Sequence, residues 1–138
     1  MIAQQKNHCN CPDNSPVLLK GLSTTPFQCF KCLLLIDINT MVTDMQQVPS
    51  IREWHKKYRK AGHEILLDEL SSINLEGITL SQQLKEERDV YYWMFEDYKK
   101  ASYKQPRTCP FCPSTMQEMK SSKVTVCPDC KVAFPIKE

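Results

Sequence analysis

Glycine is scarce, with three in 138 residues. That scarcity excludes a glycine-rich phosphate loop, whose backbone must curl closely around an anion. No stretch approaches the ~18 uninterrupted apolar residues of a membrane-spanning helix. The opening MIAQQKNHCN lacks the charged-then-apolar order of a secretion leader. Such a chain is expected in an intracellular compartment, cytoplasm or nucleus, where thiols stay reduced. Neither sign of charge dominates: 18 basic against 16 acidic side chains leave a formal balance of +2. A globally basic nucleic-acid binder is therefore not supported. The His-x-Glu of zinc deaminases is absent. His55, His63, Glu64 and Asn74 stand in an order that fits no metal-nuclease pattern. The sequence predicts a protein without catalysis of its own, without a membrane segment and without a small-molecule substrate.

Cysteine, by contrast, is abundant, with eight residues in two groups at opposite ends. In a reducing compartment their expected use is metal ligation. The C-terminal group reads CPFCPSTMQEMKSSKVTVCPDC. It holds two Cys-Pro-x-Cys units, Cys109 with Cys112 and Cys127 with Cys130. Two thiolates at this spacing converge on one ion because the backbone between them forms a tight knuckle, and two knuckles close a tetrahedral zinc site. Pro110 and Pro128 pre-set φ for each turn. Val124 and Val126 alternate with polar residues, as in a strand, and residues 115–120 are placed to pair with them across the turn at 120–123. Val132, Phe134 and Ile136 alternate again. Residues 107–138 thereby resemble the zinc-ribbon superfamily. The resemblance implies a structural zinc and a setting common to transcription and replication factors.

The N-terminal group reads HCNCPDN and FQCFKC. Cys29 and Cys32 form an ordinary knuckle. Cys9 and Cys11 are one residue closer, and His8 stands at the usual spacing from Cys11. The expected ligands are Cys9, Cys11, Cys29 and Cys32, with His8 as the alternative to Cys9. Two structural zinc ions follow. Eight thiolates and two zinc ions would carry the formal balance from +2 to about −2. After Cys32, LLLIDI reads as a short buried strand.

The middle carries no cysteine and reads as helical. Ser50 and Glu53 form a capping box, and Ile51, Trp54, Tyr58, Ala61 and Ile65 recur at helical spacing. Ile65, Leu66, Leu70 and Ile73 are expected to face inward. Thr79 and Gln82 suggest a second box, opening a helix to about Lys104 with Leu80, Leu84, Tyr91, Met94, Phe95, Tyr98 and Ala101 as its apolar stripe. Thr79, Leu80, Ser81 and Leu84 also resemble the second helix of a helix-turn-helix unit, which implies a recognition helix after it. Lys56, Lys57, Arg59 and Lys60 are the candidate nucleic-acid contacts.

The expected fold is small α+β: two zinc-stabilised β-rich modules, 1–48 and 107–138, flanking a helical region, 49–106. The expected function is a zinc-binding, nucleic-acid-associated regulator contacting RNA polymerase, another transcription or replication protein, or DNA. The alternative is a zinc-stabilised protein-interaction adaptor without nucleic-acid contact.

Overall fold

The computed structural model describes residues 15–41, 47–84 and 89–137. Within them lies one mixed, seven-stranded sheet: β1 (Val17–Leu19), β2 (Phe27–Cys29), β3 (Leu35–Ile36), β4 (Val90–Trp93), β5 (Gln117–Met119), β6 (Val124–Cys127) and β7 (Val132–Pro135). Their spatial order is β3-β2-β1-β4-β7-β6-β5. Two antiparallel three-stranded meanders thus flank a single central strand. β1 and β7 both run parallel to β4, with Val17 opposite Val90 and Tyr92 opposite Val132. A helical turn (Ile38–Met41) and three helices, α1 (Gln47–Lys60), α2 (His63–Leu67) and α3 (Ser72–Gln83), lie in sequence between β3 and β4.

Here the fold departs from the helical reading of the middle. Val90, Tyr91, Tyr92 and Trp93 are a strand, not part of a helix reaching Lys104. All four are buried. A central parallel strand is covered on both faces, so it reads as a continuous apolar run without period. Among the described residues no recognition helix follows α3, and β4 stands where it would run. Met94 and Phe95 are buried beyond the strand, whereas Ala101 is exposed.

Pleating divides the sheet into two faces. Val17, Leu19, Val90 and Tyr92 share one, in register across β1 and β4. The helices cover that face. Trp54 of α1 packs its ring 5.8 Å from Tyr92 and 5.3 Å from Tyr58, and its indole N–H donates to the Ile73 carbonyl at 2.9 Å. Ile51, Trp54 and Tyr58 are buried as the helical spacing predicts. Leu66 is buried too, but Ile65 and Leu70 are exposed. The chain breaks between α1 and α2, so Ile65 no longer continues the stripe of α1. Leu18, Tyr91 and Trp93 point to the other face.

Both capping boxes are displaced. α1 begins at Gln47, so Ser50 lies within its first turn. Thr79 lies inside α3, its hydroxyl donating to the Leu75 carbonyl at 3.0 Å. The N-cap of α3 is Ser71, whose hydroxyl accepts from the Asn74 amide at 3.4 Å. Gly77 sits within this helix, where the Tyr92 ring occupies the space a Cβ would need. That close approach explains the glycine better than turn formation does.

One carboxyl group ties stability to pH. Burial, then the charges of Glu69 and Asp97, push Glu96 up to about 7. Between the ordinary value of 4.5 and about 7, the folded chain holds a proton that the unfolded chain releases. Stability from this group is complete below that window and is lost as pH rises through it. Glu96→Gln should therefore gain progressively on the parent as pH rises from about 5 to 7, with the advantage level above that. Thermal melts of both proteins with zinc present check this, and an advantage that shrinks with pH would contradict it.

Candidate metal centre

The first knuckle, Cys109 to Cys112, lies between the 96–107 segment and β5. The second, Cys127 to Cys130, joins β6 to β7. β5 and β6 pair as the alternation predicts, with Gln117 opposite Val126 and Met119 opposite Val124. The turn between them passes through Lys123 in the left-handed region, at φ 59°. β6 and β7 pair from Val124–Pro135 to Cys127–Val132. This hairpin delivers the second knuckle to the first, and a bridge between Thr108 and Thr115 closes the loop that carries the first.

The four sulfurs of Cys109, Cys112, Cys127 and Cys130 lie within 4.8 Å of one another. Cys112 Sγ and Cys127 Sγ are 3.6 Å apart. A Zn–S length of about 2.3 Å places tetrahedral sulfurs about 3.8 Å apart, so the donor set fits zinc. The local backbone is shaped for it as well. The Phe111 amide points at Cys109 Sγ (3.4 Å) and the Cys130 amide at Cys127 Sγ (3.5 Å). Such N–H groups stabilise thiolate over thiol. Ser114 Oγ donates to Asp129 at 2.7 Å, lacing one knuckle to the other. Gln82 of α3 donates to the Cys130 carbonyl at 3.1 Å, linking the helical layer to the site.

The thiols are not equivalent. Hydrogen bonding by Ser114, through side chain and then backbone, pulls Cys112 down to about 6. Burial pushes Cys109 and Cys130 up. Metal binding releases the protons that remain, because only thiolates ligate zinc. Four sulfurs complete a tetrahedral shell and leave no position for a reactive water, the arrangement of a structural site.

At the N-terminal end, Cys29 closes β2, and the turn through Cys32 leads toward β3. This knuckle repeats the backbone of the second C-terminal one. The Leu33 amide donates to the Cys29 carbonyl at 3.0 Å, and the Lys131 amide to the Cys127 carbonyl at 2.9 Å. Leu33 and Lys131 both take left-handed backbone, at φ 63° and 61°. Only Leu35 and Ile36 of LLLIDI form strand, and Leu35 is exposed because β3 is the sheet edge. His8, Cys9 and Cys11 lie outside the described residues. Among the described residues, Cys29 and Cys32 are two ligand candidates rather than four.

The candidate nucleic-acid contacts all lie on α1, and all four are exposed. Lys57 is engaged with Glu76 of α3 at 2.9 Å, so its ammonium turns toward the neighbouring helix. The support that Ser114, Asp129 and Gln82 give the metal centre escaped the sequence reading. Ser114 follows Cys112 by two residues and could have been suspected, whereas Gln82 is brought there only by the fold. Among the described residues no helix is long and apolar enough to cross a membrane. Neither the family models, the curated proteins nor the solved structures compared with this chain give a match.

Proposed function

We propose that this chain is a zinc-stapled, nucleic-acid-associated protein of the transcription or replication machinery, without catalysis of its own. The observation that carries the reading is the closed four-sulfur centre, built by a ribbon-like hairpin into a sheet whose other layer bears a cationic helix. The centre favours a scaffold role, since it offers no open coordination position. On α1, Lys56, Arg59 and Lys60 project into solvent and form no ion pair among the described residues. Such a face meets phosphates at modest affinity, and a protein partner such as RNA polymerase shares the binding. A reducing intracellular compartment belongs to the same reading.

A second structural zinc is part of the proposal. The twin backbone of the Cys29–Cys32 knuckle supports it, with Cys9 and Cys11 as the completing ligands and His8 as the alternative to Cys9. Native mass spectrometry should return two zinc ions per chain, and a single ion would remove this second site.

The functional test is duplex DNA binding, read by fluorescence anisotropy across a salt series. Each phosphate neutralised on duplex DNA contributes about −0.9 to the slope of log affinity against log salt. Replacing Lys56, Arg59 and Lys60 with glutamine should weaken binding at low salt and flatten that slope. A protein-interaction adaptor is the second reading. It is favoured by the exposed apolar side chains Ile65, Leu70 and Leu75 around α2 and α3. No DNA binding at low salt, together with a protein complex that survives high salt, would select the adaptor.

A further inference from the structure

The sheet face opposite the helices carries a cavity of 430 Å³. Its floor comes from Leu18 and Trp93 of the central strands and from Val124 and Pro135. Its walls come from three separate parts of the chain: the N-terminal knuckle, the β5–β6 turn, and the segment after β4 that carries Tyr98. The volume falls within the ~300–1,000 Å³ of small-ligand sites, and an apolar floor with a few convergent polar groups is their usual composition.

The charged groups are mostly cationic. Lys20 holds its ammonium 4.7 Å from the centre of the Trp93 ring. Lys120 and Lys123 stand on the β5–β6 turn. None of these three forms an ion pair among the described residues. Lys137, also at the cavity, is already spent on the Lys100 and Ala101 carbonyls, at 2.6 and 3.0 Å. The one carboxylate among the described lining residues, Glu118, accepts from Gln105 Nε2 at 2.6 Å. Burial lowers the Lys20 pKa, which marks an ammonium that has lost water without gaining an anion. An arriving anion would supply what the ring face supplies only in part.

A hollow with an apolar floor, two aromatic side chains and three ammonium groups that form no ion pair among the described residues selects a ligand with the converse character: a planar apolar body bearing a negative group. We propose that this cavity is a nucleotide site, with the phosphate at Lys20, Lys120 and Lys123 and the base against Tyr98 and the apolar floor. The same chemistry is offered by a free mononucleotide and by an unpaired residue of a nucleic-acid strand. The site lies across the sheet from the cations of α1 and does not depend on them.

Calorimetric titration of the zinc-loaded full chain tests the assignment, with adenosine monophosphate, a short single-stranded adenylate oligonucleotide and inorganic phosphate as probes. The nucleotide should bind saturably, at least about tenfold more tightly than phosphate, and should change Trp93 fluorescence. Lys20→Met keeps the apolar stem over the indole, and Lys123→Asn keeps a residue tolerant of left-handed backbone. Each should weaken nucleotide binding about tenfold, the loss expected for one charge-assisted hydrogen bond. Lys120→Gln, on an exposed turn, repeats the test without touching the core. Equal affinity for oligonucleotide and mononucleotide assigns the free nucleotide, and tighter oligonucleotide binding assigns the strand. Phosphate binding as tightly as the nucleotide, no saturable binding, or indifference to all three substitutions overturns the site. No duplex enters this titration, so failure of duplex binding by α1 leaves it standing.

Discussion

Cys127→Ser should abolish zinc binding at the C-terminal site and melt the whole sheet rather than the ribbon alone. Cys127 is fully buried at the end of β6. A structural zinc contributes on the order of 10–16 kcal/mol of apparent binding energy. That matches or exceeds the ~5–15 kcal/mol net stability of an ordinary domain. Three independent segments would confine the damage to 107–138 and leave the helical signal intact. The pairing of β7 with β4 changes that expectation. Tyr92 and Met94 amides donate to the Lys131 and Ala133 carbonyls, both at 2.8 Å, so losing β7 uncovers the strand on which Trp54 and α3 rest. Circular dichroism should show helical and sheet signals falling together, and Cys112→Ser on the outer knuckle should behave alike. Retained zinc with an unchanged melt would remove the metal centre. An intact helical melt beside a proteolysed C-terminal segment would show the ribbon to be a separate unit.

Asn74→Ala should cost on the order of 4 kcal/mol, because it orphans two buried partners and one part-buried one at ~1–3 kcal/mol each. Asn74 is fully buried in α3. Its Nδ2 donates to the carbonyls of Leu66 at 2.9 Å and Asp68 at 2.7 Å, and its Oδ1 accepts from the Tyr92 hydroxyl at 2.5 Å. One side chain thus ties the end of α2 and the loop after it to the central strand. Tyr92→Phe removes only one of these bonds, and about 1 kcal/mol should go with it. The double variant should lose less than the two single losses added, since the Tyr92 hydroxyl is then no longer stranded. Urea unfolding with zinc in excess measures all three. A loss below about 1 kcal/mol for Asn74→Ala would show that water replaces it at no cost, contrary to the burial.

The C-terminal centre was legible because its information is local. Four cysteines at fixed spacing, the knuckle prolines Pro110 and Pro128 and a period-two valine pattern all fall within 22 consecutive residues, 109–130. The face of α1 was legible for the same reason, through Ile51, Trp54 and Tyr58. β4 was not legible. Its aromatics also satisfy a helical stripe when counted with Leu80 and Leu84, and a strand buried on both sides offers no alternation to contradict that count. β1 was missed because PVLLKG gives only three apolar residues, bounded by a proline and a glycine. The cavity was beyond reach for a different reason. Lys20, Trp93, Tyr98 and Lys123 meet only because parallel pairing brings distant segments side by side, and nothing near any one of them records the others.

Parallel pairing on both flanks of β4 also sets an order of events during synthesis. The N-terminal meander can close early, since its turns are short, but the outer edge of β1 must wait for Val90 to emerge. β4 then docks with its second edge bare until β7 follows. Contacts this distant in sequence slow folding, because the chain entropy of closing the loop is lost before the contact repays it. For that interval a fully apolar strand has one unpaired edge, the condition under which strands of neighbouring molecules associate. A shortage of zinc would prolong the exposure, since β7 is held in place by the hairpin that the metal closes. Yield in cells should therefore track metal supply during translation, even for protein that binds zinc normally once folded.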